Sequence, residues 1–264
     1  MPADNRVITS RRLVAPDTAE LLDSEARRIN SPEFIAGDPV QFPRLFERKQ
    51  DIEIVSLLSA TIAWGNRKMI CRNCRKMIDM MESRPYDFVM SESYEDLEPG
   101  NIHRTFFVEN LKHWLRGLRR IYRRHGSLEA FAAAEHIDRS ELPAWTLVEG
   151  MNRELAEANG GRGDPRCLPQ NLDSTALKRI NMALRWLVRD DGIVDLGVWD
   201  VIKPSQLFIP MDVHVGETAR QLGLIDRRAN DRRAAVELTE TLRTLRPSDP
   251  VVYDFALFGI GMGL

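Results

Sequence analysis

The chain has 264 residues, enough for one large domain or two small ones with a buried core. Its hydrophobic fraction of 43% and charged fraction of 29% are those of an ordinary soluble protein, and no run approaches the roughly eighteen apolar residues of a membrane span. A net charge of −2 argues against nucleic-acid binding by bulk charge and leaves only local basic stretches for gripping a backbone.

The opening residues, MPADNRVITSRR, lack the apolar core of a signal peptide, so a cytoplasmic protein is expected. DTAELLDSEARRIN (17–30) predicts a first helix with Asp17 as its N-cap. Pro32, Gly37, Pro39 and Pro43 mark 31–49 as an irregular connector. IEIVSLLSATI (52–62) is almost wholly apolar and suits a buried helix, although its Ile and Val content leaves a strand open. Residues 66–82 continue as a basic, Met-rich helix, and 101–125 as a long amphipathic one carrying Phe107, Leu111, Trp114, Leu118 and Tyr122.

ANGGRGDPRCLPQN (158–171) is a loop, and DSTALKRINMALRWLVR (173–189) a helix that Asp173 or Ser174 can cap. In that helix Leu177, Ile180, Leu184, Leu187 and Val188 form one apolar stripe. Lys178, Met182, Arg185 and Arg189 recur on another side, where they could follow phosphates or form a solvated row. Glycines and prolines break 190–210, leaving room for a short helix at most. Asp212 then opens a helix that runs to Gly223, Asp231 caps the next, and Asp249-Pro250 begins the last, through Tyr253, Phe255 and Phe258. Neither an internal repeat nor sustained period-two alternation is present. The expected fold is mostly or entirely α.

Few motifs carry chemistry. Cys71 and Cys74 form a CxxC, but no second CxxC follows, and neither His103 nor His113 has finger spacing. Three cysteines in a cytosolic setting make a disulfide framework unexpected. Phosphate-binding glycine loops, GxSxG and HExxH are missing. Positive charge gathers between Arg67 and Lys76, where five basic residues stand without an acid, and again in the arginine-rich stretch 116–125. Either stretch suits a short length of phosphate backbone, and either suits a solvated helix face.

The remaining pair is Lys178 and Asp212. A lysine at a helix N-terminus, near Arg179 and Arg185, is pushed toward its neutral, nucleophilic form. Asp212 at another helix N-terminus is held ionised, able to accept a proton or offset a developing sugar cation. Plain capping for Asp212 and a surface role for Lys178 are the blander readings.

The stretch IPMDVHVGETARQLGL (209–224) resembles the V-D-T-H-V to R-x-A-x-R-L-G-L segment of the helix-hairpin-helix DNA glycosylase superfamily, the endonuclease III type. LLSATIAWGNRKMI is similar to that superfamily's LLSAQ helix and FALFGIG to its W-x-x-L-x-x-H-G element, and the three pieces keep their order over residues 52 to about 261. A nearer resemblance is to a bacterial family of conserved hypothetical proteins with KRxNMxLRWxVR, VDLGxW and YDFALFGxG stretches.

The resemblance implies Asp212 as the catalytic carboxylate and Lys178 as the amine that attacks the sugar C1′. It implies an all-α fold of two lobes, 51–191 and 1–50 plus 192–264, with the two residues facing each other across a central cleft. The glycine-rich hairpin L-P-G-V-G-R-K-T-A is replaced by LPQNLDSTALKRIN, and the wider Lys–Asp separation is closer to archaeal 8-oxoguanine glycosylases. The four-cysteine cluster has no counterpart, so no cofactor and no iron–sulfur cluster is expected. Thr61 stands where the superfamily has Gln, and Trp64 is the candidate wedge or stacking residue.

The expected function is a DNA base-excision glycosylase, with AP-lyase activity through a lysine Schiff base, acting as a monomer on duplexes with damaged, oxidised purines. Trp64, Arg67, Lys68, Arg179, Arg185, Arg189 and His214 are the candidate DNA contacts. Two alternatives stay open: an inactive nucleic-acid-binding module of the same fold, and an enzyme on RNA or nucleosides.

Overall fold

Pro16 at the first helical position opens α1 (Pro16–Ile29) in the computed structural model, which describes residues 12–264. The leader reading falls on residues that are mostly outside that range. The cap of α1 is Ala15, and Asp17 sits in the first turn, because Pro16 already supplies the fixed φ of a helix start. The connector that follows holds a short helix, α2 (Pro32–Ala36), and two 3₁₀ turns at Pro39–Gln41 and Pro43–Leu45.

The apolar run resolves as a helix, α3 (Lys49–Thr61), in which every residue from Ile52 to Thr61 is buried. A helix apolar on all sides belongs at the centre of a fold. α4 (Arg67–Met80) follows, its Asn66 cap accepting from Met69 N at 3.2 Å, then α5 (Pro85–Met90). The long helix expected from residue 101 starts later. Asn101–His103 (β1) and Phe106–Phe107 (β2) form a small antiparallel hairpin, and α6 runs over Val108–His125. α7 (Leu128–Ala134) and α8 (Pro143–Ala158) come next, and α6 packs on α8.

Residues 159–177 hold no regular element before α9 (Lys178–Val188), which packs on α3. Neither Asp173 nor Ser174 caps α9. The chain enters it through Leu177 at φ 49°, a left-handed conformation uncommon for a branched side chain, with no side-chain cap. At its other end the VDLGVW turn takes over: Leu196 N donates to Trp186 O at 2.8 Å and Val198 N to Leu187 O at 2.7 Å, satisfying carbonyls a helix end leaves open. Gly197 is required there, since at φ 60° a Cβ would stand 2.4 Å from the Cβ of Asp190.

α10 (Val213–Gln221) and α11 (Arg232–Arg243) begin as read, with Asp212 accepting from Val215 N and Asp231 from Ala234 N, each at 3.0 Å. Asp249 does not cap the last helix. A 3₁₀ turn, Pro250–Val252, precedes α12 (Tyr253–Met262), and the Asp249 carboxylate is drawn to Arg189 instead. α12 packs on both α1 and α10. The described residues are thus mostly helical, and none of their helices is long and apolar enough to cross a membrane.

Candidate active site

Four segments meet at one cavity of about 710 Å³: the turn after α3, the start of α9, the start of α10 and the apolar face of α12. Its size lies within the range of small-molecule and nucleotide sites. Lys178, the first residue of α9, and Asp212, the cap of α10, both line it.

The Lys178 side chain is half-buried and Nζ donates to the carbonyl of Ala63 at 3.2 Å. A carbonyl satisfies a proton without offsetting a charge. The amine is accordingly held below its ordinary pKa, chiefly by burial, with Arg179 adding a smaller push in the same direction. Among the charges that pull it back up, Asp212 acts most strongly, followed by Asp254 and Asp38. Arg185, expected to depress the lysine, is itself paired with Asp195 and Asp254.

Arg185 and Arg189 correct the phosphate reading. Both are buried, at 4% and 3% exposure. Arg185 pairs with Asp195 at 3.2 Å and with Asp254; Arg189 pairs with Asp195, and with Asp191 and Asp249 at 3.0 Å. A guanidinium enclosed by carboxylates in this way cannot follow a phosphate backbone. The second face of α9 is a buried ion network joining it to α12 and to the VDLGVW turn.

The other candidates divide. Trp64 is half-buried at the cavity, its ring edge-on to His103 at 4.8 Å and under the guanidinium of Arg179 at 5.8 Å. Arg179 also lines the cavity, but donates to Thr61 O and Arg166 O at 3.0 and 3.1 Å, which commits one of its nitrogens to the fold. Arg67 pairs with Asp38 at 3.0 Å and lies over the rings of Phe258 and Phe34, at 5.1 and 5.5 Å. His214 is exposed and lines the cavity, whereas Lys68 is exposed and outside its lining.

Two cavity carboxylates escaped the sequence reading. Asp38 caps the 3₁₀ turn after α2, accepting from Val40 N at 3.0 Å. Asp254 is buried, paired with Arg185, and pushed up to about 6, first by burial and, among neighbouring charges that raise it, most by Asp212. A signal for Asp254 existed, as it is the single charge in the apolar run YDFALFG, and a charge on a buried helix needs a partner. For the CxxC, Cys71 and Cys74 are free thiols. Burial pushes Cys74 up to about 12, and no His, Cys, Asp and Glu cluster among the described residues has a metal-site arrangement.

The fold and cavity define a mostly helical protein with a half-buried lysine and several carboxylates gathered at one aromatic-walled cavity. The chain belongs to the family described as "Protein of unknown function (DUF2400)", whose model matches residues 38–263, a span that holds every cavity residue named above except Phe34. No curated protein and no solved structure matches it.

Proposed function

We propose that this protein is a DNA base-excision enzyme of the helix-hairpin-helix glycosylase type, with lyase chemistry, acting on oxidised purines in duplex DNA. The observation that carries the reading is that a depressed lysine amine and the Asp212 carboxylate, the charge that acts most strongly to raise it, line one cavity. An extruded nucleotide enters with its base against the rings of Trp64, Phe34 and Phe258. The lone pair of Lys178 Nζ attacks C1′, the glycosidic bond breaks, and its electron pair leaves with the base. Asp212 accepts the proton that the lysine nitrogen loses and returns it to the departing base. Opening of the C1′–O4′ bond, with a proton taken up by O4′, gives the Schiff base. Loss of a C2′ proton then expels the 3′ phosphate. These steps need no cofactor.

A panel of duplexes carrying single lesions, 8-oxoguanine among them, tests this reading through base release and borohydride trapping. Release from at least one lesion together with a covalent adduct is expected; neither on any lesion defeats it.

A second reading, a nucleic-acid-binding module without turnover, draws on the irregular 159–177 segment. It carries Asp173, paired with Arg232 at 2.7 Å, in place of a glycine-rich hairpin. Binding that survives Lys178→Ala and Asp212→Asn, with no base release by the native chain, favours it.

A further inference from the structure

Beside the cavity lies positive charge that the chemistry above does not use. Arg104 sits at the tip of the β1–β2 hairpin at φ 49°, an unfavourable conformation for any residue with a side chain. Several bonds hold it there. Asn101 Nδ2 donates to Arg104 O at 2.6 Å, and Lys76 Nζ donates to Asn101 O at 2.8 Å. The adjacent His103 is fully buried, its ring bridging Asn73 Nδ2 and Trp64 O, each at 2.9 Å. The tip is therefore tied to the Trp64 turn.

The turn is shaped to receive it. At Gly65, φ 98°, a Cβ would stand 2.6 Å from Arg104 Nη1, so the missing side chain is the seat of this guanidinium. Arg166 lines the same cavity as Trp64 and Gly65, and its backbone carbonyl accepts from Arg179, whose guanidinium lies over the Trp64 ring. Lys68 follows one residue after Arg67. Arg104, Arg166 and Lys68 are all exposed, and none has a carboxylate partner among the described residues. Three arginines of α6 behave differently: Arg116 pairs with Glu95, Arg119 with Glu92 and Arg120 with Glu157. In a chain of net charge −2, three unmatched cations around one aromatic turn are a directed charge.

We propose that Arg104, Arg166 and Lys68 form a collar that binds backbone phosphates of the strand whose nucleotide enters the cavity. The inference rests on the nucleic-acid reading above. It assigns the grip on the strand to side chains around Trp64, where the glycine-poor 168–177 segment offers no hairpin of amides.

The test is fluorescence anisotropy of the full chain with a labelled duplex bearing a tetrahydrofuran abasic analogue, titrated across about 50–200 mM KCl. Each phosphate contact contributes about 0.9 to the slope of log K against log salt. Arg104→Gly with Arg166→Ala therefore lowers the slope by about 1.8, and adding Lys68→Ala lowers it by about 2.7 in all. Arg116→Ala with Arg119→Ala and Arg120→Ala, an equal loss of three charges at paired arginines, leaves it unchanged. Arg104→Gly removes the strained side chain, so its thermal midpoint is expected to equal or exceed that of the native chain.

A native slope retained by the triple variant overturns the collar while leaving the glycosylase reading intact. A collar-dependent slope without base release supports the collar and defeats the glycosylase. No binding by the native chain overturns both.

Discussion

Lys178 Nζ donates to the carbonyl of Ala63 at 3.2 Å, joining the first residue of α9 to the turn that follows α3. The bond aims the amine into the cavity without giving it a counter-ion, and burial then favours the neutral form. The sign follows for catalysis. A lysine held below its ordinary value is nucleophilic at lower pH than a solvated one, so trapping yield rises with pH and levels off below the ordinary lysine range. Adduct yields measured against pH in matched ionic strength check this; a curve still rising at pH 10 contradicts it.

Asp212 caps α10 and faces the cavity, and one substitution separates the two roles. Asn caps a helix about as well as Asp. Asp212→Asn is expected to keep stability within about 0.5 kcal/mol while base release falls by about 10²-fold or more. Thermal denaturation alongside single-turnover kinetics reads both. Loss of stability with unchanged turnover would return Asp212 to a capping role alone.

The network under the cavity predicts a structural defect. Asp195 is shared by the buried guanidinia of Arg185 and Arg189. Removing one partner from such a set leaves charge without compensation, at a cost of roughly 3–5 kcal/mol. For Asp195→Ala this corresponds to a fall in Tm of about 6–20 °C. Calorimetry checks it, and an unchanged midpoint would mean that water or the remaining aspartates satisfy both arginines.

Much of this was legible because helix ends announce themselves. The Asp212 and Asp231 starts follow from side chains that accept from the backbone three residues on. The start of α9 was illegible for the opposite reason, since Leu177 enters it in a left-handed conformation that no cap residue marks. The β1–β2 hairpin hid in the same way. It is held by His103, Asn73 and Trp64, contacts far apart in sequence, while its own residues read as the front of a helix.

Arg185 and Arg189 were misread because position on a helix face says nothing about what covers it. Four aspartates, at 191, 195, 249 and 254, turn an apparent surface row into core. The same blindness concealed Asp254. Its meaning depends on Arg185, 69 residues earlier.

Trp64 has a lighter structural role than the fully buried Trp114 and Trp186, being half-buried with its ring at the cavity. Trp64→Ala is expected to leave the chain folded and to weaken binding of a lesion duplex by about 1–3 kcal/mol, the worth of one stacked base. Trp64→Phe should recover part of that loss. Equal losses for Ala and Phe in a binding titration would point away from stacking.

In the proposed reaction Lys178 bonds to the sugar. Borohydride reduction with a duplex containing an abasic site, then proteolysis and mass spectrometry of the adduct, reads this directly. One modified peptide is expected, with the added mass on Lys178, and no adduct for Lys178→Ala. An adduct on another lysine, or full trapping by Lys178→Ala, would contradict it.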